Sequence, residues 1–263
     1  MTYEVKTPIT QAMNEGAITR KELKKLMVRS NKPAFFRLML WVCLLSTSSY
    51  FIWLSLGTWF IIPSMFFQGI ILVHHFSLQH ECCHYTAFKT RKLNDIFGHI
   101  CGFSIMLPNQ HFRYEHCDHH TYTQLKGKDP ELIELPMSLY KYLWYISAFP
   151  YWKNKFLEIY RHLKGQLSEE ETRFIPNQEQ KTIFREARIM VFLYFLIFST
   201  CIMFNFWAPL WYWLLPVILG EPVMRAIRLT EHVGRPNTDD LKENTRSSLV
   251  SLPMRFLSWN MNY

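Results

Sequence analysis

Residues 38–73, LMLWVCLLSTSSYFIWLSLGTWFIIPSMFFQGIILV, contain no charged side chain. A helix crossing the hydrocarbon of a bilayer needs about 20 mainly apolar residues. The run is therefore long enough for two crossings, with Gly57 as the natural turning point. A second run, residues 189–220, IMVFLYFLIFSTCIMFNFWAPLWYWLLPVILG, is also free of charge and breaks at Ala208-Pro209. Expected spans are 36–55, 59–79, 187–207 and 209–228. A buried helix of a soluble protein accounts for one apolar run, but poorly for two of this length. The fold class read from these stretches is an all-α membrane protein. Its four transmembrane helices would form two hairpins, with a helical cap on the cytoplasmic side.

The rest of the composition agrees. Of the 263 residues, 49% are hydrophobic and 16% aromatic, and abundant Trp and Tyr are typical of membrane-interface belts. A mean hydropathy of -0.05 hides a very uneven distribution. The formal net charge is +8, and the turns inside both apolar runs carry none of it. Every Lys and Arg precedes the first run, lies between the runs or follows the second, which places those segments in the cytoplasm by the positive-inside rule. The basic balance then suits an anionic leaflet, and no basic patch on a soluble fold points to nucleic acid. Residues 1–34 read as a polar, basic cytoplasmic segment without a signal peptide. The six cysteines form no C-x-x-C pair and read as small buried residues kept reduced. Residues 95–108, DIFGHICGFSIMLP, are apolar but too short to cross, so an interfacial or re-entrant piece is expected. Residues 138–160 mix Trp and Tyr with Lys, which fits a helix lying at the headgroups.

The histidines are clustered. His80 and His84 fall in HECCH after the second expected span; His116, His119 and His120 fall in FRYEHCDHH; His232 follows the fourth span in RLTEHVG. All six would emerge on one face of the membrane. His80 and His84 are four apart, as are His116 and His120, so each pair shares a helix face. Imidazole binds iron, copper and zinc well, and six exceed what one zinc takes from protein, so two metals are implied. HECCH also matches H-E-x-x-H, the zinc-protease pattern. That mechanism has no use for the extra histidines of HCDHH, and an intramembrane protease would add an Asp that the spans lack. Glu81 is then expected to orient a ligating imidazole rather than act as a base. Arg113, Asp118 and Asp129 are candidates for the same supporting role, and Asp239, Asp240 and Arg246 for packing against the metal face. His74, His75, His99 and His162 lack partner spacing and read as structural.

These residues carry a family resemblance. HECCHYTAF resembles the first histidine box of the membrane fatty acid desaturases, whose plant oleate members have HECGH. RYEHCDHH resembles the second box, H-x-x-H-H, and QLKGKDPE resembles the Asp-Pro signature that follows it. The resemblance runs from about His74 to the C-terminus, within a domain of residues 35–263. It implies a four-span bundle that holds two non-heme irons by histidine alone. It also implies dioxygen (O2), an external electron donor such as cytochrome b5 or ferredoxin with its reductase, and a lipid or acyl substrate. His80, His84, His116, His119 and His120 are carried over as iron ligands, with His232 as the lone histidine after the fourth span. The expected activity is introduction of a double bond into an acyl chain. A related hydroxylase or ketolase acting on an alkane, carotenoid or sphingoid chain, and a non-catalytic or vestigial metal-binding membrane protein if the chain ends at Tyr263, are the alternatives. One departure stands out: the third box is missing. The chain stops at SWNMNY, where related sequences have an N-x-N-Y-like stretch just before that box, so Tyr263 reads as a truncation point.

Overall fold

The computed structural model describes residues 12–136, 138–238 and 240–261, and every regular element among them is helical. Asp239 and Tyr263, singled out above, lie outside the described residues. In order the helices are α1 (Arg20–Leu26), α2 (Lys32–Ser55), α3 (Ile61–Val73), α4 (His75–Cys83), α5 (Arg91–Ser104) and α6 (Asn109–Tyr122). They continue with α7 (Leu139–Ile146), α8 (Phe149–Leu163), α9 (Glu169–Phe174), α10 (Gln180–Phe204), a π-type turn (Leu210–Leu214), α11 (Leu215–Arg228), α12 (Leu241–Asn244) and α13 (Leu252–Leu257).

Four helical stretches are long and apolar enough to cross a membrane: Lys32–Ser55, Ile61–Cys83, Gln180–Phe204 and Leu210–Arg228. Their outer faces carry exposed Phe51, Trp53, Phe192, Phe195, Phe198 and Ile202, a surface that water would not tolerate and lipid would. The first turn is at Gly57, in a left-handed conformation (φ +77°). The second is not at Ala208-Pro209 as expected. Asn205 takes the left-handed cap (φ 49°) that ends α10, and Pro209 opens the next helix, where its missing N–H costs nothing. The second span continues to Cys83 and is broken at His74. The stretch 138–160 is two helices rather than one. Pro150 lies in the first turn of the second helix, where its missing N–H costs nothing, and Ala148 turns left-handed (φ 62°) ahead of it.

Helix α3 lies against both α2 and α11. A Cβ on Gly69 would stand 2.1 Å from the Pro216 carbonyl, and one on Gly220 would stand 2.4 Å from Gly69, so α3 and α11 cross with their backbones in contact. Pro216 has no N–H for the Tyr212 carbonyl, and the Gln68 side chain donates there instead. Gln68 also accepts from Ser48 (2.8 Å) and Ser49 (3.0 Å), so one amide ties the first, second and fourth spans. The C-terminal carbonyls of α5 are met in the same way: Tyr194 donates to Phe103 (2.5 Å) and Trp213 to Ser104 (2.7 Å). On the histidine side of the bundle, a buried cluster of Val73, Phe76, Cys83, Leu107, Phe112 and Met224 fixes α4 and α6 against the fourth span. Cys43 and Cys117 are exposed, contrary to expectation, while the other four cysteines are buried; all six are free thiols.

Candidate metal centre

Helix α6 carries three of the six histidines, and its start is held firmly. The Glu186 carboxylate accepts from the N–H groups of Asn109 and Gln110, both at 2.9 Å. These are orphan donors of a first turn, and an anion there also suits the helix dipole. Helix α4 is anchored from the N-terminal side, where Arg29 donates to the Tyr85 carbonyl (2.6 Å) and Asn31 pairs with Thr90 (2.9 and 3.1 Å).

The two helices bring His80, His84, His116 and His120 together, with ligand atoms within 4.8 Å of one another. Nε2 of His116 lies 3.1 Å from Nε2 of His84 and 3.0 Å from that of His120; His84 and His120 are 3.2 Å apart. Nitrogens bound to one metal at roughly 2.0–2.1 Å would stand about 3.0–3.4 Å apart. His119 stands beside the quartet, ring centres 5.5 Å from His116 and 5.6 Å from His120, and meets His232 at 5.2 Å.

What fixes the rings lies behind them. His116 Nδ1 meets Glu131 at 2.7 Å, His119 Nδ1 meets Asp129 at 2.7 Å, His80 Nδ1 meets Glu81 at 3.1 Å, and His232 Nδ1 meets the Asn244 carbonyl at 3.2 Å. Each acceptor draws the proton to Nδ1 and leaves the Nε2 lone pair facing forward. The acceptors are themselves tied down. Arg228 pairs with Glu131 (2.5 Å), Thr86 donates to Glu81 (2.6 Å), and Asp129 accepts from Gln124 N–H (2.8 Å) and Glu131 N–H (2.9 Å).

The electrostatics keep most of the rings neutral. Burial, then the charge of His80, pushes His84 down to about 4. Burial and the neighbouring imidazoles take His120 down to about 4. Burial holds His116 well below the usual range even against Glu131, and it also lowers His232. His119 moves up, because its Asp129 hydrogen bond and the Glu131 charge outweigh burial. Burial would raise Glu131, but His116 and Arg228 hold it well below the usual carboxylate range. Neutral imidazoles with inward lone pairs are a ligand set.

His80, His116, His119, His120 and His232 line a cavity of about 500 Å³, whose apolar wall includes Ile227, Leu249, Val250, Met254 and Met261. Of the supporting residues expected from sequence, Glu81 and Asp129 stand behind ligands. Arg113 turns instead to Asp95 (2.9 Å) and the Tyr85 ring, and Asp118 to Arg173 (2.7 Å). Arg246 reaches the Val233 carbonyl. His74 and His75 are spent on Ile70 (2.6 Å) and Ser104 (2.7 Å), and His99 on Glu186 (2.9 Å). Sequence reasoning missed Glu131, Arg228 and Asn244. Glu131 directly follows the Asp-Pro pair and was the one legible signal.

A sequence-family model described as fatty acid desaturase matches residues 56–263. The chain is 32% identical over 77 residues to an sn-1 oleoyl-lipid 12-desaturase of Anabaena variabilis, covering 29% of this chain and 22% of that protein. It is 31% identical over 109 residues to an sn-1 acyl-lipid omega-3 desaturase (ferredoxin) of a Nostoc species, covering 41% and 29%. It is 28% identical over 104 residues to an endoplasmic-reticulum omega-3 fatty acid desaturase of Nicotiana tabacum, covering 39% and 27%. Each match spans less than a third of the relative's length.

Proposed function

Because this chain belongs to the fatty acid desaturase family, we propose that it holds the metal centre of a membrane oxidoreductase that introduces a double bond into a fatty acyl chain. The reading rests above all on the hydrogen bonds behind the histidines. Glu81, Glu131, Asp129 and Asn244 turn four Nδ1 atoms outward and leave the Nε2 atoms facing one another or the cavity. Two irons are the proposed metals. His80, His84, His116 and His120 would hold one, and the donor chemistry of the quartet fits it. His119 and His232 would contribute to the second.

Bound iron would supply the redox chemistry that side chains lack: activation of dioxygen and removal of hydrogen from an unactivated methylene. The residues of the chain do the rest. The carboxylates behind the ligands hold the rings in one tautomer and raise their basicity. Ile227, Leu249, Val250 and Met254 give an acyl chain an apolar wall beside the histidines. Electrons come from a separate donor, cytochrome b5 or ferredoxin with its reductase; the Nostoc relative carries ferredoxin in its name. The histidines and the N-terminal segment 1–34 are assigned to the cytoplasmic face, supported by the distribution of Lys and Arg and by the Arg29–Tyr85 contact.

The test is lipid profiling of a host expressing the full coding sequence, alongside iron analysis of the purified protein. New double bonds, lost in His84→Ala together with iron, are expected. New hydroxyl or keto groups would move the activity to the hydroxylase or ketolase class, and an iron-free, zinc-loaded protein would overturn the oxidoreductase reading.

A further inference from the structure

His111 lies five residues before His116, roughly 140° around the axis of α6, and so points away from the histidine quartet. It enters a second, separate cluster. His111 on α6 (1% exposed), His162 on α8 (0%) and Glu171 on α9 (5%) meet with ligand atoms within 4.8 Å of one another. Glu171 Oε1 stands 3.2 Å from His162 Nε2 and 3.4 Å from His111 Nε2. Both ring nitrogens of His111, and Nδ1 of His162, are buried without a hydrogen-bond partner. Buried polar atoms left this way are destabilising, and three of them on two rings whose centres are 4.9 Å apart call for a further partner.

We propose that His111, His162 and Glu171 form a divalent-metal site of the zinc type, distinct from the metal centre. Two imidazoles and one carboxylate are a common zinc donor set, with water as fourth ligand. Ligands at roughly 2.0–2.2 Å on a tetrahedral ion stand about 3.3–3.5 Å apart, close to the spacings found here. The surroundings supply the further requirements of such a site. Glu158 (3.4 Å) and Glu115 (3.9 Å) stand on the Nδ1 side of His111. Glu171 is held by Ser168 N–H on Oε2 (2.5 Å), and Arg161 uses one lone pair of Oε1 (2.9 Å), leaving the other for the ion. A cavity of about 380 Å³ reaches Glu171, Glu158 and Arg161 and gives ion and water a way in.

Burial would lower His111, but the charges of Glu158 and Glu115 and the Glu171 carboxylate raise it to about 9 in the metal-free protein, so a proton holds the place that the ion would take, and metal binding would displace it. The ion would clamp α6, α8 and α9 together and hold the helix of His116, His119 and His120 from behind.

Elemental analysis of the full-length protein, purified without chelator, tests this. About one equivalent of zinc per chain is expected beside the iron. His162→Gln and Glu171→Gln should each lose the zinc and keep the iron, while His84→Ala should lose iron and keep zinc. A wild-type protein with no zinc overturns the site without recourse to any variant. Zinc that survives His162→Gln and leaves with His84→Ala overturns it too, by placing that zinc in the quartet. Loss of iron with His84→Ala, read separately, reports on the metal centre alone.

Discussion

Glu131 holds His116 from behind at 2.7 Å and is itself locked by Arg228. In Glu131→Gln the ring keeps a partner but loses the negative charge that raises its basicity. Partners of this kind typically matter by about 10- to 100-fold in metal affinity, and iron retention during dialysis against a chelator should fall by that order. Asp129→Asn should act likewise through His119. The histidines also set a pH dependence for the metal-free protein. His84 and His120 titrate near 4 when folded, against an ordinary 6.5. Between those values the unfolded chain binds protons that these two folded rings refuse, so their contribution to stability is full above about 6.5 and is lost as the pH falls toward 4. The Tm of apo-protein in detergent should drop across that window. A flat profile would mean that the rings are not held neutral. The quartet of His80, His84, His116 and His120 was legible because helical spacing puts each pair on one face, and Glu81 and Asp129 because they sit in the motifs. Arg228 and Asn244 were not, since each reaches its partner across at least twelve residues, a distance no local pattern encodes.

At the scale of the helix, hydropathy marks the apolar part of a span rather than the helix itself. The third span was expected from residue 187, yet α10 begins at Gln180, because Lys181, Arg185, Glu186 and Arg188 are sound helix formers at a membrane edge. Glu186 among them caps α6, so the charged overhang belongs to the site. The crossing at Gly69 and Gly220 was also hidden, since a glycine in an apolar run gives no sign of what it touches. That contact tests the link between packing and site. Gly69→Ala would set a methyl group against the Pro216 carbonyl, with backbone on both sides and no flexible side chain to yield. Forced overpacking costs about 1–3 kcal/mol, and a lower Tm in detergent is expected. Because α3 leads through His74 into α4, and α11 leads to His232, iron binding should weaken as well. An unchanged Tm would show that the two backbones do not cross there.

Across the whole molecule, the ends of the spans sort into two sets. Arg29 and Asn31, just before the first span, touch Tyr85 and Thr90, just after the second. Glu186 and Arg188 near the start of the third touch Asn109 and Leu163, and His232 after the fourth meets His119. These ends carry the histidines and nearly all the charge, while Gly57 and Asn205 mark the opposite, uncharged set. That sorting was legible in the sequence because lipid forbids charge in the spans, which leaves it nowhere else to go. If it reflects a bilayer, a membrane-impermeant thiol reagent will distinguish the two sets. Cys117 is exposed on the histidine side. In a background with the other cysteines replaced, it should react only when the cytoplasmic face is accessible, as in inverted vesicles. Thr58→Cys and Phe206→Cys, placed in the two uncharged turns, should react only from the other face. Labelling of Cys117 and Thr58→Cys from the same side would mean that residues 32–83 do not cross as two antiparallel spans, and the shared face assigned to the six histidines would fall with that arrangement.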